Sequence, residues 1–196
     1  MRCAVVCNTR KAFDSADHNL LIYRSVQLQL PVQCFQRLLG SNFCVYHPRA
    51  DQPLTFSTSK CVPQGSKIGH FLYLILVAYV SQRLRELSLG FYLGPQLIDH
   101  FFFADDLILL APPNQMVELY NTVSQLLLDC KLELNRRKMK LLCNTQLVIA
   151  DIELVEVSKY LGFPLNANRV CRRLMTNHAQ KKIGNSHRQM LKLGLF

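Results

Sequence analysis

No Cys-x-x-Cys pair and no Cys/His cluster at zinc-finger spacing occurs among the cysteines at positions 3, 7, 34, 44, 61, 130, 143 and 171, which excludes the common structural zinc modules. No secretory signal is visible, so reduced, buried thiols in a nuclear or cytoplasmic protein are expected rather than a disulfide framework. The longest uninterrupted apolar run, Phe71 to Val80, is about half of what a membrane-spanning helix needs. No internal repeat is present. Acids are also missing from the end of the chain: none occurs after Glu156.

The 196 residues suggest one domain, or one large piece of a multidomain protein. With 49% hydrophobic and 18% charged residues, the chain is neither disordered nor of low complexity. Its net charge of +10 points to a polyanionic partner, with nucleic acid ahead of an acidic membrane surface. The charge is unevenly spread. Residues 1–130 carry 10 Lys and Arg against 9 acids, whereas residues 131–196 carry 13 against 4. The basic surface therefore belongs to the C-terminal third.

The stretch from Leu97 to Ala111 sets two adjacent carboxylates, Asp105 and Asp106, between the apolar runs Phe101 to Ala104 and Leu107 to Ala111. Each run is the length of a buried strand, so the pattern predicts a β-hairpin with acids at its tip. Two readings are open. Asp pairs are ordinary turn residues, because their side chains bond nearby backbone amides. Alternatively, a rigid sheet edge holds them to bind a hard divalent cation, which takes oxygen ligands.

Around this hairpin the chain reads as an α+β arrangement, with helices covering one face of a mostly antiparallel sheet. A strand over Met1 to Asn8 precedes a helix capped by Ser15 or Asp14. A second short helix begins at Pro31, with apolar positions Val32, Phe35, Leu38 and Leu39, and ends at Gly40. Short strands are expected at Phe43 to Tyr46 and Leu54 to Thr58. The loop Cys61 to Ser66 opens a long helix over about Lys67 to Ser88. Past the hairpin, an amphipathic helix runs from Pro112-Pro113-Asn114 through Leu134. Strands then follow at Lys140 to Cys143, Leu147 to Ile149 and Leu154 to Val157. From Arg169 to Lys192 the apolar spacing is helical, interrupted by Gly184.

Five segments, taken together, resemble a known family. Ala4 to His18 (AVVCNTRKAFDSADH), Val62-Pro-Gln-Gly65, Phe103-Ala-Asp-Asp106, Leu134-Asn-Arg-Arg-Lys138 and Lys159-Tyr-Leu-Gly162 are similar, in order and approximate spacing, to the palm motifs of reverse transcriptases. The likeness is greatest to non-LTR (LINE-type) retrotransposon enzymes. It implies a polymerase palm-like fold over residues 1–163. Residues 164–196 would then be a basic segment that starts a thumb or connection, or a tail. Because the chain begins at the first palm strand, the resemblance also implies that the fingers region is missing.

The resemblance implies RNA-directed DNA polymerisation with an RNA template, a DNA primer, dNTP and Mg²⁺ or Mn²⁺. Such nucleotidyl transfer uses two metal ions, held by carboxylates on a rigid support. Asp105 and Asp106 would be metal ligands. Gln64 and Gly65 would help position nucleotide and template. Phe13 would lie under the sugar and disfavour a 2′-hydroxyl, and Lys138 would sit near the triphosphate. Tyr160, Leu161 and Gly162 would grip the primer. On local grounds Phe13 also suits a core position, Lys138 a solvated basic face, and Val62 to Gly65 a plain loop-to-helix junction.

One departure outweighs the matches. The family pattern runs Asp, two residues, Lys, Ala, Phe, Asp, which puts the first catalytic Asp at position 8, where this chain has Asn8. An amide keeps the shape but loses the charge, so one of three anionic ligands is gone and a large rate loss is expected. Cys61 stands where the family usually has Gly, and His70 where it usually has Pro. A non-enzymatic, basic nucleic-acid-binding remnant, or a domesticated retroelement fragment, is the competing expectation.

Overall fold

The protein's structure is a computed structural model that describes residues 3–39, 43–45, 54–62, 67–149 and 152–166. The elements run β1 (Cys3–Arg10), α1 (Ala12–Ser15), α2 (His18–Gln27), α3 (Val32–Leu39), β2 (Phe43–Val45), β3 (Leu54–Phe56) and α4 (Lys67–Arg85). Next come β4 (Phe91–Leu93), β5 (Gln96–Ile98), β6 (His100–Phe103), β7 (Asp106–Ala111) and α5 (Pro113–Asp129). The chain continues through β8 (Glu133–Leu134), a 3₁₀ turn over Arg136–Lys138, β9 (Lys140–Cys143), β10 (Glu153–Leu154), β11 (Val157–Tyr160) and β12 (Phe163–Asn166).

The central sheet has the order β10-β9-β1-β7-β6, with β8 pairing the end of β1. All its pairings are antiparallel except β10 with β9. β1 lies in the middle. Alternation along a strand sends successive side chains to opposite faces. Cys3, Val5 and Cys7 of β1 therefore join Leu107, Leu109 and Ala111 of β7 in the main core. Helices α2, α4 and α5 fill that side, with Leu21, Leu76, Leu84, Leu119 and Leu127 fully enclosed. On the opposite face a small cluster of Val6, Ile108 and Leu142 packs under Tyr160 and Leu165 of the β11–β12 hairpin. The expected α+β fold, with helices on one face of a mostly antiparallel sheet, is the fold observed.

Several boundaries move. The helix expected from Asp14 or Ser15 is two helices, because Ala16 turns extended (ψ 111) and Asp17 becomes the cap of α2, accepting from the Leu20 amide at 3.0 Å. α5 stops at Asp129 rather than Leu134. Lys131 adopts φ 56, and Leu132 re-enters the core from a turn. Leu147 to Ile149 forms no strand, although Ile149 is buried. β12 runs to Asn166, and of the basic segment expected over 164–196, residues 167–196 lie outside the described residues. Cys3 and Cys143, expected as free thiols, face each other across β1 and β9 and are joined as a disulfide with Cα atoms 4.4 Å apart. That pairing spans 140 residues of sequence, so no local spacing announces it.

Two measurements check this packing. Leu109 is fully buried, so Leu109→Ala removes a core side chain and leaves a void; chemical denaturation is expected to show a loss of about 2–5 kcal/mol. Asp17 is buried, which alone would raise its pKa, yet the Lys131 ammonium at 2.6 Å and the Leu20 amide outweigh burial and hold it below the ordinary value of 3.8. A carboxyl with a depressed folded pKa stabilises above its unfolded pKa and loses that stabilisation as pH falls through the folded one. Asp17→Asn is therefore expected to lower Tm at neutral pH, with the gap to wild type closing as melts are taken below pH 3.8.

Candidate functional site

The acidic hairpin folds as its pattern predicts. Phe103 pairs with Asp106, leaving Ala104 and Asp105 as a two-residue turn in which Ala104 takes φ 51. A positive φ is costly for a residue with a Cβ, and the turn is held by its neighbour strand. The Thr9 amide donates to the Asp105 carbonyl at 2.9 Å, and the Thr9 hydroxyl lies 3.3 Å from the same oxygen. Thr9 Oγ1 also meets the Tyr73 hydroxyl at 3.1 Å. Burial, partly offset by the Thr9 bond and reinforced by the negative charge of Asp105, pushes the Tyr73 phenol up to about 12.

Register puts Asn8 directly opposite Asp106. The Asn8 side-chain nitrogen donates to Asp105 Oδ2 at 2.8 Å and to Asp106 Oδ1 at 2.9 Å. Both partners are acceptors, so an amide N–H₂ with its two donors satisfies them together, and the reverse amide orientation would set oxygen against oxygen. The point on which the two carboxylates converge is therefore filled by an uncharged donor.

The surrounding cleft, about 380 Å³, is lined by Asn8, Thr9, Arg10, Lys11, Ala12, Phe13, Asp14, Asp105, Asn135 and Lys138. Three of the other residues proposed from the sequence reach this neighbourhood. Phe13 is 9% exposed, and its ring centroid lies 5.1 Å from those of both His70 and Tyr73. Core position and cleft wall are thus the same position. Lys138 is exposed on the 3₁₀ turn, which is tied down where the Asn135 amide donates to the Asn8 carbonyl at 2.8 Å. Tyr160 lies on the opposite face from the helices. Its hydroxyl donates to the Phe101 carbonyl at 3.2 Å, and burial, with the charge of Asp106 adding, raises its pKa.

Leu161 and Gly162 form the turn after Tyr160, with φ 50 and 79. They do not line the cleft. Gln64 and Gly65 lie outside the described residues. Their neighbour Val62 is fully buried and donates its amide to the Phe13 carbonyl at 2.9 Å. Sequence reasoning missed Thr9 and Tyr73. The available signal was a hydroxyl residue at the fourth inward position of β1, after Cys3, Val5 and Cys7.

Divalent cations of the Mg²⁺ class need oxygen ligands, commonly one or two carboxylates with substrate phosphates completing the shell. Asp105 and Asp106 fit one such ion once the Asn8 amide turns aside. They are one carboxylate short of the charge that two dications call for. Among the described residues no group of three or more His, Cys, Asp or Glu side chains is arranged to hold a metal. No helix among them is long and apolar enough to cross a membrane.

A family model for reverse transcriptase (RNA-dependent DNA polymerase) matches residues 2–165. Among solved structures, the chain is similar to telomerase from Candida tropicalis in complex with the TWJ fragment of telomeric RNA, with a TM-score of 0.61 at 12% identity over 84% of this chain and 28% of that one. Apo telomerase from Candida tropicalis truncated from its C-terminal domain gives 0.62 at 12% identity, over 85% and 34%. Telomerase from Candida albicans with the TWJ fragment gives 0.53 at 11%, over 85% and 29%. The chain thus spans about a third of the length of these proteins. No curated protein matches it in sequence.

Replacing the bridging amide tests the site directly. Asn8→Asp sets three carboxylates against one another. It is expected to melt below wild type in EDTA and to recover with Mg²⁺, while wild type shows the smaller response to the metal. An Asn8→Asp protein as stable as wild type in EDTA would contradict this reading.

Proposed function

Because the chain belongs to the reverse transcriptase (RNA-dependent DNA polymerase) family, we propose that it is a palm domain of non-LTR retrotransposon type whose nucleotidyl transfer is impaired at Asn8. One observation carries the proposal: the Asn8 amide bonds both Asp105 and Asp106, so the third anionic ligand of the family's site is an internal hydrogen-bond donor. Reverse transcriptases generally depend on divalent metal. Mg²⁺ held by Asp105 and Asp106 would stabilise the charge that develops on a transferring phosphate and lower the pKa of a primer hydroxyl. With one carboxylate missing, that stabilisation falls by several kcal/mol.

Lys138 and Phe13 line the same cleft. Lys138, with Arg10 and Lys11, presents cations to a triphosphate. Phe13 offers a flat wall against which a sugar packs. Tyr160 to Gly162 would meet the primer, and Gln64 with Gly65 the nucleotide and template. The RNA-bound telomerase neighbour supports an RNA template as partner. Supplied with a primed RNA template, dNTP and Mg²⁺ or Mn²⁺, the chain is expected to extend the primer far more slowly than its Asn8→Asp variant does under the same conditions. Robust synthesis by the unaltered chain, abolished by Asp105→Ala, would overturn the impairment.

A second reading, a non-enzymatic nucleic-acid-binding domain retained from a retroelement, is favoured by the cations around the site. A cleft of about 620 Å³ lined by Arg10, Arg136 and Arg137 shares Arg10 and Asn135 with the catalytic cleft, which adds Lys11 and Lys138. Phosphate contacts by these side chains release counterions, so log K against log salt for single-stranded RNA is expected to fall with a slope of about −3.5. Binding that ignores salt would remove this reading. Asp105→Ala, expected to leave binding intact while ending any residual synthesis, separates the two.

A further inference from the structure

On the helical side, Arg24 is a buried cation with no anionic partner among the described residues. Its side chain is 8% exposed, on the inward face of α2. The guanidinium carbon lies 3.3 Å from the Tyr79 ring centroid and 5.3 Å from that of Tyr23. Nη1 donates to Gln27 Oε1 at 2.7 Å, and Nε is fully enclosed with no acceptor. Among the described residues Arg24 forms no ion pair. Stacking on Tyr79 offsets part of the desolvation, but a buried charge with no counter-charge is costly, and proteins ordinarily pair it.

The charged groups nearby do not supply the partner. Glu86 is half-exposed and already held by Arg83 at 2.6 Å. The Cys130 thiol is pushed up to about 11, chiefly by burial against the opposing pull of Arg24, so it carries no charge at neutral pH. Arg24 lines a cavity of about 240 Å³ between α2 and α4, shared with Gln27, Leu28, Tyr79, Gln82, Arg83 and Glu86. That volume is below the range of drug-sized ligand sites. Arg24 and Arg83 against Glu86 leave one positive charge, which a monoanion neutralises and a dianion overshoots. The flat guanidinium fork matches a planar carboxylate.

We propose that the cavity between α2 and α4 is a binding site for a carboxylate group, seated on the Arg24 guanidinium with the Gln27 and Gln82 amides beside it. It is separate from the acidic hairpin and does not depend on the polymerase reading.

Thermal melts of the full chain, with sodium acetate exchanged for sodium chloride at constant ionic strength, test the site. Acetate is expected to raise Tm by a saturable few degrees. Arg24→Met is expected to abolish that response and, because it removes an unpaired buried charge, to melt no lower than wild type. Arg24→Lys, which keeps the charge without the fork, is expected to respond more weakly. A glutamate blocked at both ends serves as a second probe: a response at lower concentration than acetate identifies a protein side chain as the source, and an equal response a small acid. Equal Tm in acetate and chloride would overturn the proposal. So would an acetate response retained in Arg24→Met, or a response to inorganic phosphate alone.

Discussion

The two hydrogen bonds from one amide nitrogen to Asp105 and Asp106 depend on β1 lying at the centre of the sheet. β1 pairs with β7 in a register that sets Asn8 opposite Asp106, and that register is fixed because a one-residue slip would turn Val5 and Cys7 out of the core. The same strand then supplies Thr9, which donates to the Asp105 carbonyl of the hairpin turn, and Arg10, which with Lys11 just past the strand carries positive charge to the cleft rim. Position 8 therefore decides the electrostatics of the site. A carboxylate there would leave three anions in need of cations, whereas the amide leaves two anions that are already hydrogen-bonded.

Much of this was legible in the sequence because it rests on strong periodicity. β7 and β9 are apolar runs ended by charge or turn residues, and Lys140 to Cys143 forms a strand over the span expected. Asn8, Asp105 and Asp106 were connected only by the order of family-like segments, since 97 positions of sequence separate Asn8 from Asp105. The partnership itself, amide nitrogen against two carboxylates, follows from geometry that no spacing encodes.

Where the sequence misled, the cause is local competition. Asp14, Ser15 and Asp17 all suit a helix cap, and the extended turn at Ala16 chose Asp17 because its carboxyl could meet both the Leu20 amide and the Lys131 ammonium. Leu132 and Leu134 prolonged the apolar rhythm of α5 past its end, although a positive φ at Lys131 had already broken the helix. Thr9 passed unremarked because a hydroxyl in an apolar strand gives little signal until its partner, Tyr73 from α4, is beside it. Arg24 sits where α2's apolar spacing gave no hint of a buried cation.

At the centre of the site, the uncharged Asn8 amide takes the place of a metal-binding carboxylate and hydrogen-bonds the two acids that remain. Electron paramagnetic resonance of Mn²⁺ added to the full chain counts bound ions without requiring catalysis. The unaltered protein is expected to hold at most one ion, weakly, and to lose it in Asp105→Ala, whereas Asn8→Asp is expected to bind more tightly and to take up a second ion. Two tightly bound Mn²⁺ ions in the unaltered protein would contradict it.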